Sequence, residues 1–77
     1  MTLMYRHPSR SRDSALTYRQ LEVLRLMANG YESKEIGRLL SIKPQTVKFH
    51  RTWIFRTLDV SKAPAAVATA LRSGLIA

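Results

Sequence analysis

The stretch that decides the fold runs from Lys43 to Leu58 and reads KPQTVKFHRTWIFRTL. Proline suits the first position of a helix, where its missing N–H is not needed, and no glycine or second proline follows it here. At about 100° per residue, Val47, Ile54 and Leu58 fall on one side of such a helix. The stretch therefore predicts a helix that begins at Pro44 and buries this apolar side.

The opposite side of this helix carries amide, cationic and hydroxyl groups and one ring. Its members are Gln45, Lys48, Phe49, Thr52 and Arg56. Such groups can read base edges and hold phosphates in a DNA major groove. Residues 41–60 hold four basic residues against one acidic residue, whereas residues 17–40 hold four against three. The alternative to a nucleic-acid surface is a basic side that only meets water.

The whole chain is short and basic. Its 77 residues carry 13 Lys and Arg against 5 Asp and Glu, a formal net charge of +8, which favours nucleic acid or an anionic membrane as partner. This length predicts one small domain, with no separate small-molecule ligand domain. The chain lacks cysteine and its two histidines lie far apart, so neither a disulfide, a metal nor another cofactor is expected.

Membrane and export signals are missing from the sequence. No apolar run approaches the roughly 20 residues that span a bilayer. Residues 1–12 contain arginines but no apolar core, so they do not resemble a secretory signal. A cytoplasmic protein that does not bind membranes is therefore expected.

The first predicted helix follows Thr17. Threonine at this position and Gln20 three residues later form a capping box, and Leu16 and Leu21 can close a hydrophobic staple. Asn29-Gly30 is expected to end the helix, because glycine adopts the left-handed C′ conformation without strain. The apolar face between these ends consists of Leu21, Val23, Leu24 and Met27.

Two further helices complete the prediction. Ser33 is expected to cap a short second helix. Ser61 is expected to cap a last helix over residues 62–73, which has Pro64 in its first turn. The inward residues of the short helix are predicted to be Ile36, Leu39 and Leu40. The apolar stripe of the last helix is predicted to be Ala66, Val67, Ala70 and Leu71.

This order of elements predicts an all-α domain of four helices over residues 15–77. A short helix and a longer one joined by a tight turn form a helix-turn-helix, whose second helix enters the major groove while the first crosses the DNA backbone. Residues 1–14 are interpreted as a flexible basic tail, which either touches phosphates or is only a leader or linker remnant.

Three segments of the chain also resemble a known family. Residues 16–24 (LTYRQLEVL) resemble the opening "LTpREreVL" of the LuxR/GerE/NarL-type DNA-binding domain. Gly30 followed by residues 33–36 resembles its "G.s.keIA", and residues 46–58 resemble its "TVk.H..nI..KL". The resemblance covers about residues 15–76. It implies a four-helix transcription regulator domain, with the third helix (44–58) on DNA and the fourth pairing two subunits.

The resemblance also assigns roles to individual positions. Lys48 and Phe49 match positions that touch bases or nearby phosphates, and Thr52 matches a polar contact. Together with the polar side of the third helix, the expected DNA contacts are Lys34, Gln45, Thr46, Lys48, Phe49, Arg51, Thr52 and Arg56. The expected dimerisation residues are Ala66, Val67, Ala70 and Leu71. The alternative is that the Ala66/Ala70 stripe belongs to the internal core, as such stripes more often do.

Several residues depart from the family pattern. Gly37 replaces the usual alanine and is expected to weaken the second helix by roughly 0.5–1 kcal/mol. Lys43 stands where a capping serine is common, a loss of about 1 kcal/mol. Arg51 replaces an aliphatic residue, so its stem is expected to pack while its head reaches a phosphate. At the position of Gln20 the family often has glutamate. At the position of Trp53 it usually has a polar residue.

Three aromatic side chains leave alternatives open. Phe49 suits contact with a thymine methyl, or else packs against the second helix. His50 is interpreted as a packed, hydrogen-bonded structural residue. Trp53 either packs against the first helix or marks a contact with another protein.

The leading hypothesis is a sequence-specific regulator of transcription that binds double-stranded DNA as a homodimer. The alternative is a small adaptor that uses the same fold to bind another regulator or RNA polymerase. A third interpretation makes the chain a piece of a longer regulator. The sequence has no serine–histidine–carboxylate set, no glycine-rich phosphate loop and no apolar carboxylate pair, so no enzymatic activity is expected.

Overall fold

A computed structural model describes residues 16–77 and arranges them as four α-helices. In chain order these are α1 (Tyr18–Ala28), α2 (Ser33–Leu40), α3 (Pro44–Leu58) and α4 (Ala63–Arg72). The all-α, four-helix prediction is therefore confirmed, and the bounds of α3 match those predicted. The tail predicted for residues 1–14 lies outside the described residues.

The hydrophobic core fills the space between the four helices. Val47 and Ile54 of α3 are completely buried, as predicted, and Leu58 is half-buried against the same cluster. Ile36 of α2 is also completely buried. The remaining core residues are Leu16, Leu21, Val23, Leu24, Met27, Ala66, Ala70 and Ile76. One contiguous core thus fixes α3 in the middle of the domain, in contact with each of the other helices.

The start of α1 is held by the predicted capping box. The Gln20 N–H donates to Oγ1 of Thr17 at 3.0 Å, and the Thr17 N–H donates to Oε1 of Gln20 at 3.0 Å. Both bonds satisfy backbone donors that the first turn of a helix would otherwise leave without a partner. A neutral glutamine therefore completes the box without any charge.

All four helices end in the same backbone geometry, the Schellman motif. In each, an N–H beyond the helix donates to a carbonyl five residues earlier; the donors are Tyr31, Ile42, Val60 and Leu75, at 2.9 to 3.1 Å. The left-handed residue before each donor is glycine after α1 and α4. After α2 and α3 it is Ser41 (φ 59°) and Asp59 (φ 58°), which carry side chains in a conformation that favours glycine.

Two of the predicted helix caps are wrong by one residue. Glu32, not Ser33, is the N-cap of α2, and its N–H donates to Oε1 of Glu35 at 2.9 Å. Lys62, not Ser61, is the N-cap of α4. A cap at Ser61 would put Pro64 at the third helical position, where an N–H must donate to the cap and proline has none. α4 is consequently one residue shorter at each end than predicted.

Two predictions about α2 are corrected by its packing. Leu39, predicted to point inward, is 56% exposed, because Ile36 and Leu40, one turn apart, occupy the inward side of this eight-residue helix. Gly37 was expected only to weaken α2. A Cβ atom at this position would lie 2.7 Å from the Ile42 carbonyl oxygen, so glycine is what lets the α2–α3 turn fold back onto α2.

Candidate nucleic-acid interface

The two sides of α3 differ completely in exposure. The inner side, Val47, Ile54 and Leu58, faces the core, and the outer side consists of Gln45, Lys48, Phe49, Thr52 and Arg56, all exposed. Thr46 is exposed and Arg51 is half-buried. The structure therefore brings the predicted outer-side contacts together on one accessible surface. Whether they bind DNA remains a prediction.

Helix α3 begins without a side-chain cap. Lys43 occupies the N-cap with extended backbone (φ −70°, ψ 147°), and its side chain makes no capping hydrogen bond, as expected. The N–H groups of Thr46 and Val47 both donate to the Lys43 carbonyl, at 2.9 and 3.1 Å. Pro44, with its fixed φ, starts the helix in place of a cap.

A cleft of about 530 Å³, here called the cationic cleft, separates the start of α2 from α3. Lys34 lines it from α2, and Lys48 and Arg51 line it from α3; Glu32 and Ser33 complete the lining. The one ion pair within residues 16–77 joins Arg19 to Glu22 at 3.3 Å and involves none of these three cations. Three cations therefore face one opening beside a single carboxylate, an arrangement that attracts an anion.

Arg51 lies on the flank of α3 and packs against a ring of the same helix. The Arg51 guanidinium carbon lies 5.7 Å from the centroid of the Phe55 ring, and the residue is half-buried while still lining the cleft. The ring holds the cation by a cation–π interaction. The contact observed is thus made by the head of Arg51, and the expected packed stem with a phosphate at the head stays a prediction.

Phe49 and Trp53 form an exposed pair of rings on α3. Phe49 is 60% and Trp53 43% exposed, and their ring centroids are 6.5 Å apart with planes at 73°. The Arg56 guanidinium carbon lies 5.4 Å from the Trp53 ring centroid. Both rings are exposed, which disfavours the packing alternatives considered for both residues.

The hydroxyl of Thr52 is engaged within its own helix. Oγ1 of Thr52 donates to the Lys48 carbonyl at 3.0 Å. In this rotamer the oxygen presents only lone pairs to the solvent, so it suits an amino group on a base better than a phosphate oxygen.

His50 is packed but only partly satisfied. Its ring meets Phe49 edge-on at 6.3 Å, and its Nδ1 atom is buried with no hydrogen-bond partner among residues 16–77. The prediction of a hydrogen-bonded histidine is thus wrong for this atom. Burial lowers the pKa of His50 below its ordinary value, and the nearby positive charge of Arg19 lowers it further. The neutral imidazole is the form that fits this site.

The surface of α4 contains only part of the predicted dimerisation stripe. Ala66 and Ala70 are completely buried in the core, because their small side chains let α4 lie close to α1 and α3. Val67 is half-buried and Leu71 is 49% exposed. They line a shallow groove of about 370 Å³ together with Arg25, Ala28, Asn29, Ile76 and Ala77. Val67 and Leu71 are therefore accessible from outside the domain, whereas the two alanines are not.

Sequence reasoning missed Glu32 and Ser33 as neighbours of the cationic cleft. Their place depends on how α2 crosses α3, which no local pattern encodes. Within residues 16–77 no helix is long and apolar enough to cross a membrane. The same residues contain no group of three side chains that could hold a metal ion.

Comparisons with known proteins agree with the four-helix structure. The family described as "Bacterial regulatory proteins, luxR family" matches residues 14–70. The response regulatory protein YgeK of Escherichia coli (strain K12) is 42% identical over 65 residues, covering 84% of this chain and 44% of YgeK. The transcriptional regulatory protein LiaR of Bacillus subtilis (strain 168) is 47% identical over 62 residues, covering 80% of this chain and 29% of LiaR.

A third relative is the quorum sensing-dependent transcriptional regulator RpaR of Rhodopseudomonas palustris, 44% identical over 69 residues that cover 90% of this chain and 28% of RpaR. The chain thus spans less than half the length of these relatives. Members of the family are DNA-binding transcription regulators and not enzymes, which agrees with the expectation from the sequence. The family match, the helix order and the exposed α3 together show that this chain belongs to the luxR family of bacterial regulatory proteins and forms its helix-turn-helix domain.

Proposed function

We propose that the protein regulates transcription by binding a specific double-stranded DNA sequence with α3 in the major groove. The observation that carries this proposal is the outer side of α3, where five predicted contact residues are exposed on a helix that contains no acidic residue. Gln45 can pair with an adenine edge, and Lys48 with a guanine or a phosphate. A family member with this function works in the bacterial cytoplasm, where the chromosome is.

The cationic cleft supports a fixed orientation of α3 on the duplex. In a helix-turn-helix the first helix of the pair lies across the DNA backbone. Lys34, at the start of α2, and Arg51, on the flank of α3, would hold one phosphate between the two helices. Thr46 and Arg56 would contact phosphates at the two ends of α3. These contacts position the helix, while Gln45, Phe49 and Thr52 supply base recognition.

We propose a homodimer on DNA, with Val67 and Leu71 as the contact. Both residues remain accessible on α4 and border the shallow groove at the end of α1. A two-fold dimer predicts a palindromic site with half-sites about 10 base pairs, or a multiple of this, apart. Sedimentation with and without a palindromic duplex tests this. We expect two wild-type chains to bind one palindromic duplex and only one chain of Leu71→Glu to bind it. One bound chain for the wild type as well as for the variant would contradict the proposed dimer.

The proposed DNA binding is tested by fluorescence anisotropy titration of labelled duplexes at several salt concentrations. Selection of bound fragments from genomic DNA supplies the specific duplex. If about six phosphates are contacted, affinity should fall about a thousandfold between about 50 and 200 mM salt. Lys48→Ala should weaken binding and reduce the salt slope by about one.

Lys62→Ala is the matched control for this experiment. Lys62 is also an exposed lysine, but it is the N-cap of α4 and lies outside the proposed surface. Its removal should leave the affinity within about twofold. Binding that is absent, or that does not depend on salt, would overturn the proposed function. Equal losses for the two lysine variants would contradict the assignment of the surface to α3.

A second candidate function, an adaptor that binds another regulator or RNA polymerase, is favoured by the exposure of Leu39 and Trp53. A contiguous exposed apolar patch often marks a protein contact, and Trp53 forms such a patch with Phe49. Pull-down of purified RNA polymerase by wild-type protein, with loss on Trp53→Ala and unchanged DNA affinity, would favour the adaptor. Loss of DNA affinity alone would favour the regulator.

A further inference from the structure

The rings of Phe49 and Trp53 and the guanidinium of Arg56 form a continuous row on α3. Consecutive members are in contact: the two rings meet edge to face at 6.5 Å, and the cation lies 5.4 Å from the Trp53 ring centroid. At about 100° per residue, all three fall within about 60° of one another and directly opposite Val47 and Ile54. This row, the aromatic ridge, is therefore the part of α3 that projects furthest from the core.

The chemistry of the ridge narrows what it can contact in a major groove. Most groups on the base edges there are hydrogen-bond donors and acceptors. The Phe49 ring can satisfy none of them, and Trp53 has only its single indole N–H to offer. The apolar exception is the C5 methyl group of thymine. Two rings in mutual contact make a wider and more rigid apolar surface than either ring alone, because each restricts the rotamers of the other.

The charges around the ridge favour DNA over an apolar protein surface as its partner. Arg56 is part of the ridge, Lys48 directly precedes Phe49 in the sequence, and α3 contains no acidic residue between Pro44 and Leu58. A partner that covers the rings must also accept these cations. The major groove does so, because it combines methyl groups with base acceptors and flanking phosphates.

We propose that Phe49 and Trp53 together form a surface that recognises a thymine C5 methyl group, and that Trp53 positions Arg56 beside it. The inference rests on the proposed function and makes it more specific, since it assigns Trp53, with Phe49, to base recognition. The protein would then select thymine over cytosine and over uracil at the corresponding position of its site.

Substitution of deoxyuridine for thymine in the selected duplex tests the methyl contact alone. Uracil keeps every hydrogen-bonding group of thymine and lacks only the methyl group. Thymines are replaced one position at a time. At one position or more, the replacement should lower the affinity of the wild-type protein about fourfold, the value of one buried methyl group. 5-Bromouracil at that position, which restores an apolar group of similar size, should recover most of the loss.

Variants of the ridge show whether these two rings cause the loss of affinity for the uracil duplex. Phe49→Ala and Trp53→Ala should each reduce the preference for the thymine duplex over the uracil duplex. In the double variant the two duplexes should bind equally, because both side chains that meet the methyl group are gone. Trp53→Phe should retain part of the preference. Lys62→Ala, outside the proposed DNA-binding surface, should keep the full preference for thymine.

Three results separate the inference from the proposed function. If uracil is tolerated at every position while the natural duplex binds tightly, the inference is overturned and the regulator remains. If a uracil-sensitive position stays fully sensitive in the double ring variant, another part of α3 reads the methyl group and the inference again fails. If no duplex binds at all, the proposed function fails as well.

Discussion

The inner and outer sides of α3 place apolar side chains in opposite environments. Val47 and Ile54 on the inner side are completely buried, whereas the larger Phe49 on the outer side is the most exposed of the large apolar side chains in the described region. Hydrophobicity alone therefore does not decide burial here. The helical period does, because it sends residues 47 and 54 to the core and residue 49 away from it. The exposed ring is therefore accessible to the DNA that we propose as partner.

The largest effect is expected from breaking the inner side. Ile54→Ala should lower the free energy of unfolding by about 2–5 kcal/mol, because it removes a completely buried side chain and leaves a cavity. Thr52→Ala, its outer-side counterpart, should change stability by about 0.5 kcal/mol or less. Urea denaturation followed by circular dichroism measures both. Equal destabilisation by the two variants would contradict the assignment of the two sides.

The next largest effect is expected at the turn that sets α3 against α2. Gly37→Ala should destabilise the domain by about 1–3 kcal/mol, because the new Cβ would meet the Ile42 carbonyl oxygen at 2.7 Å. Helix propensity alone predicts the opposite, a gain of about 1 kcal/mol. The sign of the change in the urea midpoint decides between them. A stabilised Gly37→Ala variant would show that the turn has room to move.

A smaller effect, of opposite sign, is expected at the end of α3. Asp59→Gly should stabilise the domain by about 0.5–1 kcal/mol, because Asp59 adopts a left-handed conformation that glycine takes without a Cβ clash. Gly30→Ala is the reverse experiment at the end of α1, where φ is 92°, and should destabilise. Thermal unfolding of both variants measures the pair. Destabilisation by Asp59→Gly would mean that the Asp59 side chain has a stabilising role of its own.

The smallest effect concerns His50, beside the boundary of the two sides. Its pKa is lowered below 6.5 in the folded protein, first by burial and then by Arg19. As the pH falls below about 6.5, the unfolded chain therefore takes up the proton before the folded one, and stability decreases. Above that pH, His50 adds no pH dependence.

Urea midpoints at about pH 7.5 and about pH 5.5 measure this contribution. The wild-type midpoint should fall at the lower pH, and His50→Gln, which cannot titrate, should show a smaller fall. An identical fall in both proteins would assign the pH dependence to other groups.

The features that the sequence predicted correctly are those that depend on neighbours along the chain. Thr17 and Gln20 are three residues apart and Pro44 lies at the helix start, so the capping box and the bounds of α3 follow from local chemistry. The inner side of α3 was also predictable, because Val47 and Ile54 repeat with the helical period.

The features that the sequence missed depend on how the helices meet. Leu39 is apolar and helical, yet α2 is too short to bury it beside Ile36 and Leu40. Ala66 and Ala70 matched an interface pattern, but their small size makes them the closest-packed part of α4. The DNA contacts at Lys34 and Arg51 were predicted one by one. Their convergence on one cleft requires the crossing of α2 and α3, which the sequence pattern does not specify.

The central claim, that the outer side of α3 binds DNA, is tested most directly by amide chemical-shift mapping of the protein with its selected duplex. The account predicts that the largest changes fall on Lys34, Gln45, Lys48, Phe49 and Thr52, around the cleft and the outer side. Changes that concentrate on the exposed side of α1, at Tyr18, Glu22 and Arg25, while these amides stay unmoved, would contradict it.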